Sequence, residues 1–195
     1  MINRPAVFLD KDGTIIEDVP YNVDPSLMRF TSGAAQGLRM LHRSGYLLIV
    51  ITNQSGVARG LFAEESLREV EQRLKYMLAE INVPLTGFYY CPHHPDGIIP
   101  AYSIQCACRK PAHDLVIRAA HDHRVDLARS WFVGDNLNDV EAGRRAGCRT
   151  VLIKVGHEIK SDVSPLRTPH YIAFDLAEAA RVITTNSPAV IPLGT

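Results

Sequence analysis

The sequence predicts an α/β protein built as a three-layer, doubly wound parallel sheet. Short runs rich in β-branched and aromatic residues alternate with stretches of helical spacing along the chain. Those runs are apolar throughout rather than at every second residue, the pattern of strands buried on both faces. Size agrees: 195 residues with 46% hydrophobic content can bury one substantial core. A single domain is expected over residues 1–184, followed by a loose tail over residues 185–195, where "TNSPAVIPLGT" carries little structural signal.

The elements follow in order. "AVFLD" reads as the first strand and "AAQGLRMLHRSG" as a helix closed by Gly45. "YLLIVITN" is a strand, and "AEESLREVEQRLKYMLAEI" is the clearest helix, with Leu67, Val70, Leu74, Leu78 and Ile81 on one face and charges on the solvated other. "GFYYC" is a strand and "HDLVIRAAHDH" a helix. "SWFVGD" is followed by the helix "NDVEAGRRAG", closed by Gly147. "TVLIKV" and "YIAF" complete the strands, and "DLAEAARVI" is a last helix with Asp175 as its N-cap.

Composition excludes several functions. The 21 basic and 21 acidic residues cancel, so no charge excess draws the chain to nucleic acid or to an anionic membrane. The longest apolar run, "YLLIVI", is too short to span a bilayer, and the N-terminus has no leader pattern. A cytoplasmic location and a small-molecule partner are expected. Disulfides are disfavoured there, and three of the four cysteines, Cys91, Cys106 and Cys108, crowd into one stretch, which points to metal binding. Cys148 reads as buried packing.

In open parallel sheets ligands collect beyond the carboxyl ends of the strands. Three strands here end in polar residues: Asp10 with Asp12, Thr52 with Asn53, and Gly134 with Asp135, followed by Asp139. Carboxylates gathered in one crevice repel unless a divalent cation lies among them, and hard oxygen ligands favour Mg²⁺. "CRKP" adds Arg109 and Lys110. Magnesium, a lysine and a hydroxyl facing carboxylates describe a site for a phosphoryl group, with one aspartate left to attack phosphorus. Each piece also has a plain alternative: Asp10 and Asp12 as an Asx turn, Thr52 and Asn53 as turn formers, Lys110 as a solvated lysine, Asp135 as a helix N-cap. Asp139 reads as a first-turn residue favoured by the helix dipole rather than as a metal ligand.

"DKDGT", "TNQ", "RKP" and "GDNLND", in this order from residue 7 to about residue 155, resemble the four motifs of the haloacid dehalogenase (HAD) superfamily of phosphatases. The resemblance implies a HAD-like Rossmannoid fold. It implies Asp10 as a nucleophile forming an aspartyl-phosphate, and Asp12 as the acid, then base. Thr52 and Lys110 would hold phosphoryl oxygens, and Asp10, Asp135 and the Asp12 backbone carbonyl would ligate Mg²⁺.

"CPHHPDGIIPAYSIQCACRK" holds a second constellation. Cys91 and His93 form C-x-H, twelve residues follow, and Cys106 and Cys108 form C-x-C. Three thiolates and one imidazole suit structural Zn²⁺ with no open position for water, and His94 is the alternative imidazole. The loop over residues 91–108 leads directly into Arg109 and Lys110, so it is expected to position them. A loop of free thiols is the plain alternative.

With that loop the motifs resemble, within the superfamily, the heptose bisphosphate phosphatases and the similar histidinol-phosphate phosphatases. The length leaves no room for a large cap domain, so the resemblance implies an open crevice with Asn53, Gln54, Ser55, Arg59, Arg109 and Asn136 against the substrate. Asn136 stands where relatives often carry a basic residue. The implied partner is a small phosphorylated metabolite, foremost a sugar bisphosphate because two arginines lie outside the catalytic set, and a monomer is expected. A polynucleotide 3′-phosphatase would need a basic strand-binding surface, and a catalytically silent zinc-stabilised phosphate-binding module would need no nucleophile.

Overall fold

The computed structural model describes residues 3–154 and 164–186. Val155 of the sixth "TVLIKV" position and most of the expected tail, residues 187–195, lie outside the described residues. Six strands form one sheet: β1 (Ala6–Leu9), β2 (Leu47–Asn53), β3 (Gly87–Cys91), β4 (Trp131–Gly134), β5 (Arg149–Ile153) and β6 (Tyr171–Ala173). Their spatial order is β3-β2-β1-β4-β5-β6, and every pairing is parallel. The chain winds outward one way from β1 and then the other, so the switch point lies between β1 and β4, where a crevice opens beyond the strand ends.

Alternation along β1 divides the core. Val7 and Leu9 face a layer made by α1 (Ala34–Arg43), α2 (Ser66–Glu80) and α5 (Leu176–Thr185). Ala6 and Phe8 face α3 (Asp114–His123) and α4 (Leu137–Arg145). These are the three layers that continuous apolar strands imply. Asp175 caps α5 by accepting from the Glu178 N–H at 2.7 Å. At α4 the cap is Asn136 and not Asp135: Asn136 Oδ1 accepts from Asn138 N–H, and Asp139 Oδ2 accepts from Asn136 N–H in a capping box. Asp135 is thereby left to the crevice.

Among the described residues no inserted helical domain covers the strand ends; the segment between β1 and α1 is closed by an antiparallel bridge between Ile16 and Phe30. No described helix is long and apolar enough to cross a membrane.

Candidate active site

β1 ends in Asp10, and the chain turns at once through Lys11, Asp12 and Gly13. Gly13 has φ 74°, and a Cβ there would strike the Asp135 carboxylate, so the turn that brings Asp10 and Asp135 together requires glycine twice over. A Cβ at Gly134 would likewise strike Asp139. Carboxylate oxygens of Asp10, Asp135 and Asp139 all lie within 4.8 Å of one another.

Lys110 enters this cluster from the loop beyond β3. Its Nζ lies 2.7 Å from Asp10 Oδ1 and 2.6 Å from Asp139 Oδ1, and donates to the Ile51 carbonyl at 2.9 Å. Burial works against its charge, but Asp10 and Asp139 more than offset this and hold its pKa above the ordinary value. The remaining carboxyl is strained the other way: burial, reinforced by Asp10, pushes Asp135 up to about 7. Three acids, Asp139 buried and Asp10 and Asp135 half-buried, share one ammonium, so the cluster lacks positive charge and has the hard oxygen donors that suit a divalent ion.

Asp12 stands apart from this cluster. Its Oδ1 pairs with the buried Lys11 Nζ at 2.6 Å, and its Oδ2 accepts from Gln54 Nε2 at 3.1 Å. Burial raises its pKa, and Lys11 only partly opposes the rise. The same Gln54 amide donates to Thr52 Oγ1 at 3.0 Å, which leaves the threonine hydrogen to be donated elsewhere. Asn53 is occupied differently: its Oδ1 accepts from Lys110 N–H and its Nδ2 donates to the Lys110 carbonyl, at 3.1 and 3.2 Å. The end of β2 thus grips the backbone that carries the lysine.

These groups line a crevice of about 400 Å³ together with Ser55, Arg109, Asn136 and the flanking residues Asp18, Pro20, Tyr21 and Asn22. Of the residues singled out from the sequence, Arg59 is outside that wall; its Nη2 lies 3.2 Å from His94 Nε2. Sequence reasoning missed the buried Lys11, the Asn53 grip and the pairing of Asp139 with Lys110. The lysine in "DKDGT" was a visible signal, since a cation between two motif aspartates has obvious partners.

The second cluster gathers Cys91, His93, Cys106 and Cys108. Sulfur separations are 3.1–3.5 Å, and His93 Nδ1 lies 3.3 Å from Cys108 Sγ and 3.7 Å from Cys91 Sγ. A tetrahedral zinc with Zn–S near 2.3 Å has ligand edges of about 3.8 Å, so four donors this close fit one ion. Burial keeps the Cys91 thiol well above its ordinary pKa, a cost that a bound cation removes. The choice between imidazoles falls to His93, because His94 faces Arg59; burial and the Arg109 and Arg59 charges hold His94 below its usual pKa. Arg109 Nη1 donates to the His93 carbonyl at 3.3 Å, which ties the crevice to the cluster.

Comparison with known proteins agrees with this geometry. The HAD-hydrolase-like family matches residues 107–179. The D-glycero-β-D-manno-heptose-1,7-bisphosphate 7-phosphatase of Yersinia pestis is 38% identical over 159 residues, 81% of this chain and 85% of that protein. The enzyme of the same name from Photorhabdus laumondii is 36% identical over 96% of this chain and 93% of its own length. The crystal structure of D,D-heptose 1,7-bisphosphate phosphatase from B. bronchiseptica, complexed with magnesium and phosphate, superposes with a TM-score of 0.80 at 29% identity, covering 94% of this chain and 99% of that one. The chain belongs to the HAD-like phosphatase family of which these heptose bisphosphate phosphatases are members.

Proposed function

We propose that the chain hydrolyses the 7-phosphate of D-glycero-D-manno-heptose 1,7-bisphosphate through an aspartyl-phosphate on Asp10. The observation that carries this reading is the Lys110 ammonium set between Asp10 and Asp139, with Asp135 alongside and Asp12 a turn away. A nucleophile, a charge-stabilising cation and a separate acid stand in one crevice.

Asp10, Asp135 and the Asp12 backbone carbonyl would hold Mg²⁺, which when bound offsets carboxylate and phosphoryl charge. The Thr52 hydroxyl and Lys110 hold phosphoryl oxygens. A carboxylate oxygen of Asp10 bonds to phosphorus as the bond to the sugar oxygen breaks. Asp12, whose pKa burial raises, gives its proton to that oxygen. Asp12 then takes a proton from water as the water attacks phosphorus and frees Asp10. Gln54 and Lys11 orient Asp12 through both of its oxygens. Structural Zn²⁺ would occupy the Cys91, His93, Cys106 and Cys108 set and fix the loop that presents Arg109 to the second phosphate.

The reading takes the catalytic domain as residues 1–184 acting as a monomer, and a cluster of unpaired thiols at Cys91, Cys106 and Cys108 suits a cytoplasmic setting. The names of the Yersinia and Photorhabdus relatives support the substrate, and the B. bronchiseptica complex supports the metal. The test is phosphate release from the heptose bisphosphate and from histidinol phosphate, each with Mg²⁺ and with EDTA. The expected result is Mg²⁺-dependent turnover with the higher kcat/KM for the bisphosphate; a kcat/KM for histidinol phosphate equal or higher overturns the substrate.

A further inference from the structure

The turn over residues 19–22 places an aromatic side chain where the backbone favours glycine. Asn22 N–H donates to the Val19 carbonyl at 3.0 Å, Pro20 takes the second position, and Tyr21, in the third, has φ 56°. Proline followed by a positive φ is the pattern of a type II turn, whose third position suits Gly or Asn. A bulky residue held there is strained, and such strain persists only where the surroundings over-determine it. The surroundings are a local hydrogen-bond chain: Asn22 Oδ1 accepts from Asp24 N–H at 2.8 Å, Asn22 Nδ2 donates to the Asp24 carbonyl at 3.2 Å, and Asp24 Oδ1 accepts from Ser26 N–H at 2.8 Å.

That chain spends the Asn22 side chain on the turn and leaves Tyr21 unused by the fold. The tyrosine is 50% exposed, and its hydroxyl has no hydrogen-bond partner among the described residues. Yet it lines the crevice, and among the described residues it is the single aromatic ring in a wall made otherwise of carboxylates, amides, hydroxyls and cations, with Pro20 beside it. The polar groups deal with phosphoryl charge and proton transfer. None of them offers a surface to the carbon skeleton that joins the phosphate to the rest of the substrate.

We propose that Tyr21 is a specificity-determining residue whose ring is the apolar wall on which the carbon skeleton of a phosphorylated sugar lies while its phosphate sits between Asp10 and Lys110. The C–H face of a sugar packs on an aromatic face, and a rigid two-χ side chain does this at low entropic cost. The left-handed backbone sets the ring at the mouth in advance, and the strain at this residue is kept for that placement. The proposal rests on the sugar-phosphatase reading and assigns the residue that distinguishes a sugar phosphate from a bare phosphoryl donor.

The experiment compares wild type, Tyr21→Phe and Tyr21→Asn on heptose 1,7-bisphosphate and on acetyl phosphate, which has no sugar to lie on the ring. Asparagine tolerates the left-handed region, so Tyr21→Asn removes the ring without adding strain, and its Tm is expected at or above that of wild type. Its KM for the bisphosphate should rise, and the kcat/KM ratio of bisphosphate to acetyl phosphate should fall roughly tenfold; Tyr21→Phe should hold that ratio within about twofold. An unchanged ratio in Tyr21→Asn, or a parallel loss on both substrates, overturns the proposal. If wild type ignores the bisphosphate, the substrate reading falls instead. The same ratio, measured with the best phosphorylated sugar of a panel, then decides Tyr21 by the same two outcomes.

Discussion

Asp139 has the closest contact with Lys110, 2.6 Å from its ammonium, and also accepts the Asn136 N–H that starts α4. In sequence it is an ordinary first-turn carboxylate, because nothing in "GDNLND" tells which acid faces solvent and which turns inward onto a lysine 29 positions earlier. Asp139→Asn keeps the cap but leaves the buried lysine with Asp10 alone. It should cost about 3 kcal/mol in chemical denaturation and lower kcat by roughly 10²-fold or more as Lys110 shifts. Asp135 supports a second expectation, for the metal-free protein. Its folded pKa, near 7, lies above the unfolded 3.8, so the stability this proton confers is complete below pH 4 and is lost as pH rises through 7. On the proposed ligand set, magnesium would take the place of that proton. The Tm gain from a fixed Mg²⁺ concentration, followed by calorimetry, should therefore grow between pH 5 and pH 8.

At the scale of elements, the loop between β3 and α3 carries Arg109, Lys110 and the Cys/His cluster with little regular structure. Ile98 and Ile99 N–H both donate to the Ala58 carbonyl, and Glu64 accepts from the Tyr90 and Tyr102 hydroxyls at 2.9 and 2.6 Å. The loop is thus fastened to the segment after β2, and the four-ligand cluster closes it just before Arg109. Cys106→Ser should abolish stoichiometric zinc in elemental analysis, lower Tm by roughly 10 °C, and reduce activity indirectly as Lys110 loses its mount. The cluster was legible because C-x-H and C-x-C are local patterns, and the strands and helices were legible because their periodicity is local too. The Asn53 grip on Lys110 joins residues 57 positions apart, and the place of Arg59 against His94 depends on how two loops pack; such pairings leave no trace in spacing. The cap of α4 falls to Asn136 rather than Asp135: both types cap well, and the capping box closes between Asn136 and Asp139.

For the molecule as a whole, the sheet order determines where chemistry can occur. Winding outward from β1 in both directions brings the ends of β1, β2 and β4 to one crevice, and each contributes one part: Asp10 and Asp12, Thr52 and Asn53, and Asp135 with Asp139 just beyond. Among the described residues no inserted domain stands over that crevice. If phosphorus passes through the Asp10 carboxylate, Asp10→Asn blocks the reaction at its first bond, because the amide keeps the shape and removes the nucleophile. Turnover of heptose 1,7-bisphosphate with saturating Mg²⁺ should fall by roughly 10⁴-fold or more while circular dichroism and zinc content stay those of wild type. A correctly folded, zinc-loaded Asp10→Asn variant that retained activity within tenfold of wild type would rule out an aspartyl-phosphate on Asp10.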